Sequence, residues 1–417
     1  MDLSGTTSPV AGAEAVDPER YALGGVAPAR ALRPASREEV AEVLRAAARD
    51  RRTVVPWGGG VGLRHETPPA RYGVALDLGG LDRIVEYEPE DLTLTAECGV
   101  TLATLRATLA ARGQELPLEA PREERTTLGG TLAANAVGPR RRRFGSPRDR
   151  ILGARFALGD GTLARSGGKV VKNVAGYGIH RLLCGSRGGL AVLLEASLKL
   201  HPAPETRRAL VYPVTPEAIA DRERWARFPG LEPAALTILG GEAAAAFGGG
   251  EWLAIVGLEG DTAWIERQSL ATHEALGQPP TVLDGEQAAA CWRRLADLED
   301  PDGTLTTWVG SLPSPSALPA REGASSLVFD ALAGRLQLVA ASGASLAWSR
   351  ALLERGFQLV EARGEEAIER GAPPSITAAA LRARIRAALD PDQTMAFGPR
   401  WESGGLPGAS SAATGRW

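Results

Sequence analysis

The sequence has few of the residues that build reactive or metal-binding clusters. Its three cysteines, Cys98, Cys184 and Cys291, stand far apart. That excludes a disulfide framework and the grouped thiolates of an iron–sulfur or zinc centre, and it fits a reducing compartment. The four histidines, His65, His180, His201 and His273, follow no H-x-H or E-x-x-H spacing and read as surface or packing residues, with no metal site. No run of 18 apolar residues occurs, so no transmembrane segment is expected. The opening MDLSGTTSPV has no basic region followed by an apolar run, which argues against a secretory leader. The expected location is cytoplasmic, at most peripheral to the inner membrane through partners. A formal net charge of −3 lacks the positive excess that bulk nucleic-acid binding requires. No repeat at a fixed period is found.

What is present is an ordinary globular composition, 44% hydrophobic and 23% charged, over 417 residues. That length exceeds what one core usually fills, so two domains are expected. Residues 1–16 and 403–417 are rich in small residues and read as disordered tails. Ser36 and Glu39 form a capping-box signal, followed by Val40, Val43, Leu44 and Ala47 at helical spacing. A strand over 53–57 should follow. A second helix beginning near Thr101 places Leu102, Leu105 and Leu109 on one face and stops at Gly113. Gly159–Asp160–Gly161 between two alternating segments signals a hairpin, and 190–200 reads as a buried strand. After Pro202 and Pro204 the texture changes. Alternating segments at 252–257, 326–330 and 358–361 interleave with helical ones near 261–276, 344–355 and 376–389, an α+β domain of its own. The predicted division is 17–205 and 206–402.

Three glycine-rich stretches carry the chemistry. Gly58–Gly59–Gly60–Val61–Gly62 follows the strand directly, and successive amides in such a loop can form a nest for phosphate. It does not open a helix, so the dinucleotide fingerprint G-x-G-x-x-G fails, and no G-K-[ST] follows for a P-loop. Alone it is as readily a turn as an anion site. Thr126–Asn135 (TTLGGTLAAN) allows close approach to a flat ligand. Gly167–Tyr177 (GGKVVKNVAGY) leads to GSRGG at 185–189. Three such places bounded by strands suggest one long ligand threaded between them.

The stretches WGGGVG, TLGGTLAANAVGPRRRRFGSPRDRILGARFALGDG and KVVKNVAGYGIHRLLCGSRGGLAVLLEASLKL resemble the FAD-linked oxidase family of the vanillyl-alcohol-oxidase type. Within it they are most similar to FAD-binding subunits of bacterial glycolate oxidase. The resemblance is close over about residues 30–205 and weaker at 257–260, 389–391 and 397–400. It implies an α+β protein: a two-subdomain FAD-binding domain, with FAD extended between the subdomains, followed by an α+β cap domain. It places the pyrophosphate on Gly58, Gly59, Gly60, Val61 and Gly62. Pro121, Thr127, Gly129, Gly130 and Ala134 match the stretch flanking the flavin; Gly138, Gly145 and Asp149 match the next loop, and Val192 the strand position near the adenosine half. Relatives that bond FAD covalently use a histidine at the position of Val61, so noncovalent FAD is implied. Relatives often carry Thr–Ser or His–Ser where this chain has Val61–Gly62; Gly178 replaces a common Asp, Ala191 a Gly, and Phe397–Gly398–Pro399 lacks the usual Asn.

The implied function is an FAD-binding subunit of a glycolate (2-hydroxy acid) oxidase or dehydrogenase complex, an FAD-dependent oxidoreductase acting on CH–OH donors. Its implied partners are a second flavin subunit and an iron–sulfur subunit. The alternatives are a stand-alone 2-hydroxy-acid dehydrogenase, against which the lack of clustered histidines counts, and a non-catalytic flavin-domain scaffold. No catalytic residue is assigned. Lys172 and Tyr177 could face the flavin or hold a helix cap. Cys184 reads as an inert core thiol. Arg140–Arg143 read as a solvated basic loop or as a docking edge for an anionic partner.

Overall fold

The computed structural model describes residues 12–63, 69, 71–169, 177–298, 304–310, 315–318, 324–340, 352, 354, 357–363 and 376–395. The helix Arg37–Arg49 starts where predicted: Ser36 Oγ accepts the Glu39 amide at 3.2 Å, and Val40, Val43, Leu44 and Ala47 are buried. Glu39 reaches one residue further back than a capping box requires, accepting the Ala35 amide at 2.8 Å. The helix crosses between strands of a four-stranded sheet. Its members are β1 (Glu14–Val16), β2 (Arg30–Arg33), β3 (Val54–Trp57) and β4 (Val74–Asp77), in the order β1-β2-β4-β3. β2 and β3 both run parallel to β4.

The expectation of a disordered tail over 1–16 fails at its end. Residues 14–16 pair antiparallel with β2, Val16 opposite Ala31, because Val16 gains an apolar neighbourhood around Tyr21 and Val55. Residues 1–11 and 403–417 lie outside the described residues.

A five-stranded antiparallel sheet forms the second subdomain: β5 (Ile84–Glu88), β6 (Thr93–Glu97), β8 (Ile151–Ala157), β9 (Leu163–Gly167) and β10 (Val192–Lys199), in the order β5-β6-β10-β8-β9. The ribbon of β7 (Gln114–Glu115) and β11 (His201–Pro202) sits beside it. The hairpin at 159–161 forms as expected, closed by the Leu158 amide donating to the Thr162 carbonyl at 3.0 Å, with Gly161 at φ +80°. Thr101 caps the helix Leu102–Ala110, whose Leu102, Leu105 and Leu109 pack on the core under β6 and β10. β10 is central, with five of its eight residues buried, and its Val192 and Leu194 face a different cluster, with Val54 and Leu76 of the first sheet.

From Thr206 the chain builds a separate eight-stranded antiparallel sheet. It comprises β12 (Thr206–Pro213), β13 (Ala235–Gly241), β14 (Trp252–Gly260), β15 (Thr281–Asp284), β16 (Thr304–Gly310), β17 (Ala324–Asp330), β18 (Arg335–Ala340) and β19 (Phe357–Arg363), ordered β15-β12-β14-β13-β17-β18-β16-β19. Alternation along each strand gives two apolar faces. Leu236, Ile238, Leu327 and Phe329 face one cluster, with Ile265 and Leu276 of the helix Thr262–Leu276. Ala235, Leu239 and Ile255 face another, with Cys291, Trp292 and Leu295 of the helix Glu286–Asp297. Of the helix expected near 344–355, only residues 352 and 354 are described.

This sheet starts at Thr206, and the assignment of everything from 206 up to 402 to the second unit needs correcting. The helix Ile376–Leu389 places Ile385 and Leu389 against the core of the second subdomain, and Met395 is fully buried and bridges Val54 in parallel. The chain thus returns to the first unit, whose edge strand β3 offers an unpaired edge. Asp390 holds this turn. Its buried carboxylate accepts the Thr394 amide at 2.9 Å and the Met395 amide at 3.0 Å, and it lies where a Cβ on Gly159 would be, 2.2 Å from Oδ1. Asp390→Ala should destabilise the protein by about 2 kcal/mol through the two orphaned amides. Urea unfolding measures it, and an unchanged midpoint would contradict this role.

Candidate functional site

β3 ends at Trp57, and the loop 58–62 turns against residues 125–127. A Cβ on Gly58 would lie 2.2 Å from Thr127 Oγ1, and one on Gly59 only 1.7 Å from the Arg125 carbonyl oxygen. Gly60 has φ +76°. Glycine is therefore required here by close approach of the chain to itself as much as by any ligand. Gly62 is exposed, with no atom within 4 Å of a Cβ placed there. Among the described residues, the amides of Gly59, Gly60, Val61 and Gly62 donate to no protein acceptor. Amides without partners among the described residues, in a half-buried glycine loop, are the kind of donor that a pyrophosphate uses. Val61 is buried and carries no nucleophilic atom.

A hydrogen-bond chain fixes the loop from beneath. The Trp57 indole donates to Tyr72 Oη at 2.7 Å, and Tyr72 Oη donates to the Tyr21 carbonyl at 2.8 Å. Tyr21 Oη donates to Asp77 Oδ2 at 2.6 Å. Asp77 also takes Arg33 Nε at 2.8 Å and the Gly79 amide at 2.8 Å. Burial, with Asp77 adding to it, pushes the Tyr21 phenol up to about 12, and burial does the same for Tyr72. Both therefore stay protonated donors.

The second glycine-rich stretch is the short helix Leu128–Ala134. Thr127 caps it, accepting the Gly130 amide at 3.2 Å. Gly129 is pressed on Cys98, with a Cβ there 2.8 Å from Cys98 Cβ, whereas Gly130 is exposed and Ala134 half-buried. The Pro121 carbonyl accepts Thr126 Oγ1. The third stretch lies alongside: the Gly185 amide donates to the Leu132 carbonyl at 3.1 Å and the Arg187 amide to the Ala133 carbonyl at 2.9 Å. Gly188 packs on Pro56. The loop 58–62, residues 121–135 and residues 185–189 thus adjoin, as the sequence suggests. Lys172 and most of the KNVAGY stretch lie outside the described residues; Tyr177, at their edge, is 90% exposed.

Gly138 is buried against the Glu119 side chain, which a Cβ would overlap at 2.4 Å. Gly145, at φ +79°, and Asp149 close the next loop, the Asp149 carboxylate accepting the Ser146 amide at 2.8 Å and Ser146 Oγ at 2.9 Å. The Ser146 amide chiefly holds Asp149 below the usual carboxylate range. Val192 points into the core under β3.

The four arginines do not behave alike. Arg141, Arg142 and Arg143 are exposed, but Arg140 is 8% exposed and bonded to carboxylates, so a four-residue basic edge does not exist. His180 is buried on Ser166 Oγ at 3.0 Å, and His201 stacks edge-on to Phe144; both pack. Burial raises the Cys184 and Cys291 thiols to about 11 and Cys98 higher still, which leaves all three inert.

Sequence reading missed the second unit's contribution. Facing Gly138 and Pro139 across a cavity of about 20 Å³ are Thr237, Asp330, Arg335 and Gln337. Thr237, Gln337 and the adjacent Thr307 are buried, and Thr237 Oγ1, Thr307 Oγ1 and Gln337 Oε1 have no hydrogen-bond partner among the described residues. The available signal is single polar residues at inward-facing positions of apolar strands.

Residues 28–167 match the family profile described as an FAD binding domain. The FAD-binding domain takes FAD as its cofactor, and the unpartnered amides of the glycine loop fit its pyrophosphate. The glycolate oxidase subunit GlcE of Escherichia coli is 37% identical over 247 residues, 58% of this chain and 64% of that subunit. The subunit GlcD of Bacillus subtilis is 35% identical over 44% of this chain and 39% of its own length, and the D-lactate dehydrogenase of Archaeoglobus fulgidus 34% over 44% and 41%. The chain thus spans under two thirds of each of these relatives. Among solved structures, an alkyldihydroxyacetonephosphate synthase superposes with TM-score 0.67 at 16% identity, covering 89% of this chain and 78% of that one. p-Cresol methylhydroxylase gives TM-score 0.65 at 14% identity, covering 91% and 89%. These share the α+β fold of a two-subdomain FAD-binding domain followed by a sheet-bearing domain. No described helix is long and apolar enough to cross a membrane.

Proposed function

We propose that this chain is the FAD-binding subunit of a multi-subunit oxidoreductase that oxidises a small 2-hydroxy acid, glycolate first among them. The observation that carries this reading is the packing of the loop 58–62, whose amides at 59–62 have no partner among the described residues, against the capped helix at 127–134, on a domain similar to glycolate oxidase and D-lactate dehydrogenase chains. Bound FAD supplies a two-electron acceptor. The chain's own residues do the holding. Gly59–Gly62 present amides to the pyrophosphate, Thr127 and Gly130 keep the flavin-flanking helix end compact, and Gly138, Gly145 and Asp149 shape the next loop. Val61 leaves the cofactor noncovalent.

The three isolated, inert thiols offer no onward centre, so the reading includes partners: a second flavin subunit and an iron–sulfur subunit, in the cytoplasm and peripheral to the inner membrane through them. One observation favours stand-alone 2-hydroxy-acid turnover instead. The polar groups Thr237 and Gln337 face Gly138 and Pro139 and could meet a small polar substrate. Purification from the native host tests the cofactor and partners together. The expected protein is yellow, releases all flavin into the supernatant on acid precipitation, and oxidises glycolate rapidly only with its copurifying subunits. Colour left in the pellet contradicts noncovalent binding, and rapid turnover by the isolated chain favours the stand-alone enzyme.

A further inference from the structure

Five charged side chains meet where the two units join. Arg140 Nε donates to Glu119 Oε1 at 2.6 Å and its amide to Glu119 Oε2 at 3.0 Å. Its Nη1 reaches Glu259 Oε1 at 2.8 Å and Glu115 Oε2 at 3.3 Å. Arg207 donates through Nε to the same Glu259 oxygen at 3.1 Å and through Nη2 to Glu115. Arg143 approaches the remaining oxygen, Glu259 Oε2, only to 4.0 Å. The Glu259 side chain is wholly buried, and among the described residues neither its Oε2 nor Glu115 Oε1 has a hydrogen-bond donor. Burial works against the Arg140 charge, but Glu119, Glu259 and Glu115 outweigh it and hold the guanidinium protonated.

The membership of this cluster matters more than its strength, since a buried ion group contributes uncertain net stability. Arg207 and Glu259 belong to the second unit, where they are register partners at the head of β12 and the end of β14. Glu115, Glu119 and Arg140 belong to the first. Glu119 is also the wall against which Gly138 is pressed, and it lies two residues before Pro121. One guanidinium therefore ties the approach to Pro121, the stretch beginning at Gly138 and the end of β14 to one another. A planar fork can serve three carboxylates at fixed angles, which an ammonium cannot.

We infer that Arg140 is a positioning residue that registers the approach to the flavin-flanking stretch, 119–121, and the next loop, 138–145, against β14, so that Glu259 on the second unit governs the surroundings of the flavin through it. This rests on the FAD reading above. Because the cluster is buried, its effect is insensitive to ionic strength, unlike that of a rim charge.

The test uses the full-length, FAD-loaded protein and Glu259→Gln, a residue outside the cofactor-holding loops. FAD should stay bound at saturating concentration, while the visible circular dichroism of the flavin changes and FAD dissociation quickens about tenfold. Arg140→Lys should reproduce both changes, and the double variant should add nothing to either. Should Glu259→Gln not fold, Arg207→Gln, at the more exposed side of the same carboxylates, carries the same expectation. Variants that lose stability yet keep the wild-type flavin spectrum and dissociation rate reduce the cluster to a structural ion group and overturn the inference. A wild-type protein that takes up no FAD on reconstitution overturns the FAD reading, and this inference with it.

Discussion

Gly59→Ala yields protein nearly free of FAD. The Cβ it adds would sit 1.7 Å from the Arg125 carbonyl oxygen, about half of a van der Waals contact, and a Cβ has no torsion by which to escape. Either the loop or residues 122–127 must move, and both lie in the candidate pyrophosphate and flavin-flanking site. Arg125, which donates to the Gly59 carbonyl at 3.2 Å, moves with them. A weakening of FAD affinity of about a hundredfold, or ~2.7 kcal/mol, is expected. Gly230→Ala, in the second unit and outside the cofactor loops, is the control. Its Cβ meets nothing, so flavin content should equal that of the wild type. Flavin-to-protein absorbance ratios and titration of the apoprotein measure both, and a Gly59→Ala protein with full flavin would show that the loop does not bind the cofactor.

The largest loss of stability is expected at Asp77. This carboxylate is 5% exposed and takes three donors: Tyr21 Oη, Arg33 and the Gly79 amide. Asp77→Ala strands a buried phenol and a half-buried guanidinium at the end of β4, opposite Trp57, where the parallel register sets the start of the glycine loop. About 3 kcal/mol is expected, against about 1 kcal/mol for Tyr21→Phe, which removes one neutral donor. Guanidinium unfolding of both variants decides the matter. Equal, small losses would mean that the network beneath the loop is dispensable.

Much of this was legible in the sequence because the signals were local. Ser36 and Thr101 cap the helices they introduce, Gly159–Asp160–Gly161 turns the hairpin, and the glycine loop emerges from β3 because an apolar strand precedes it. What was illegible was set by partners remote in the chain. Four consecutive arginines look equivalent, yet Arg140 turns inward because Glu119 and Glu115 lie 21 and 25 residues earlier and Glu259 more than a hundred residues later. The polar face of the second sheet was missed for the same reason: Thr237, Thr307 and Gln337 become one surface only through the registers of β13, β17, β18 and β16. Asp390 lies in a weakly matched stretch, but its role carried no local signal, since its donors are amides four and five residues on, in a turn that exists only when docked.

That docking has a consequence for synthesis. Val54 lies on the edge strand of the first sheet, and its amide finds its acceptor, the Thr394 carbonyl, about 340 residues later. At ribosomal rates of roughly 5–20 residues per second, the nascent edge waits about 20 to 70 s for its cover. Throughout that interval the chain presents an open strand beside the loop intended for the cofactor. An early grip on FAD, or a chaperone shielding that edge, would guard the half-made protein against joining strands with its neighbours on the polysome.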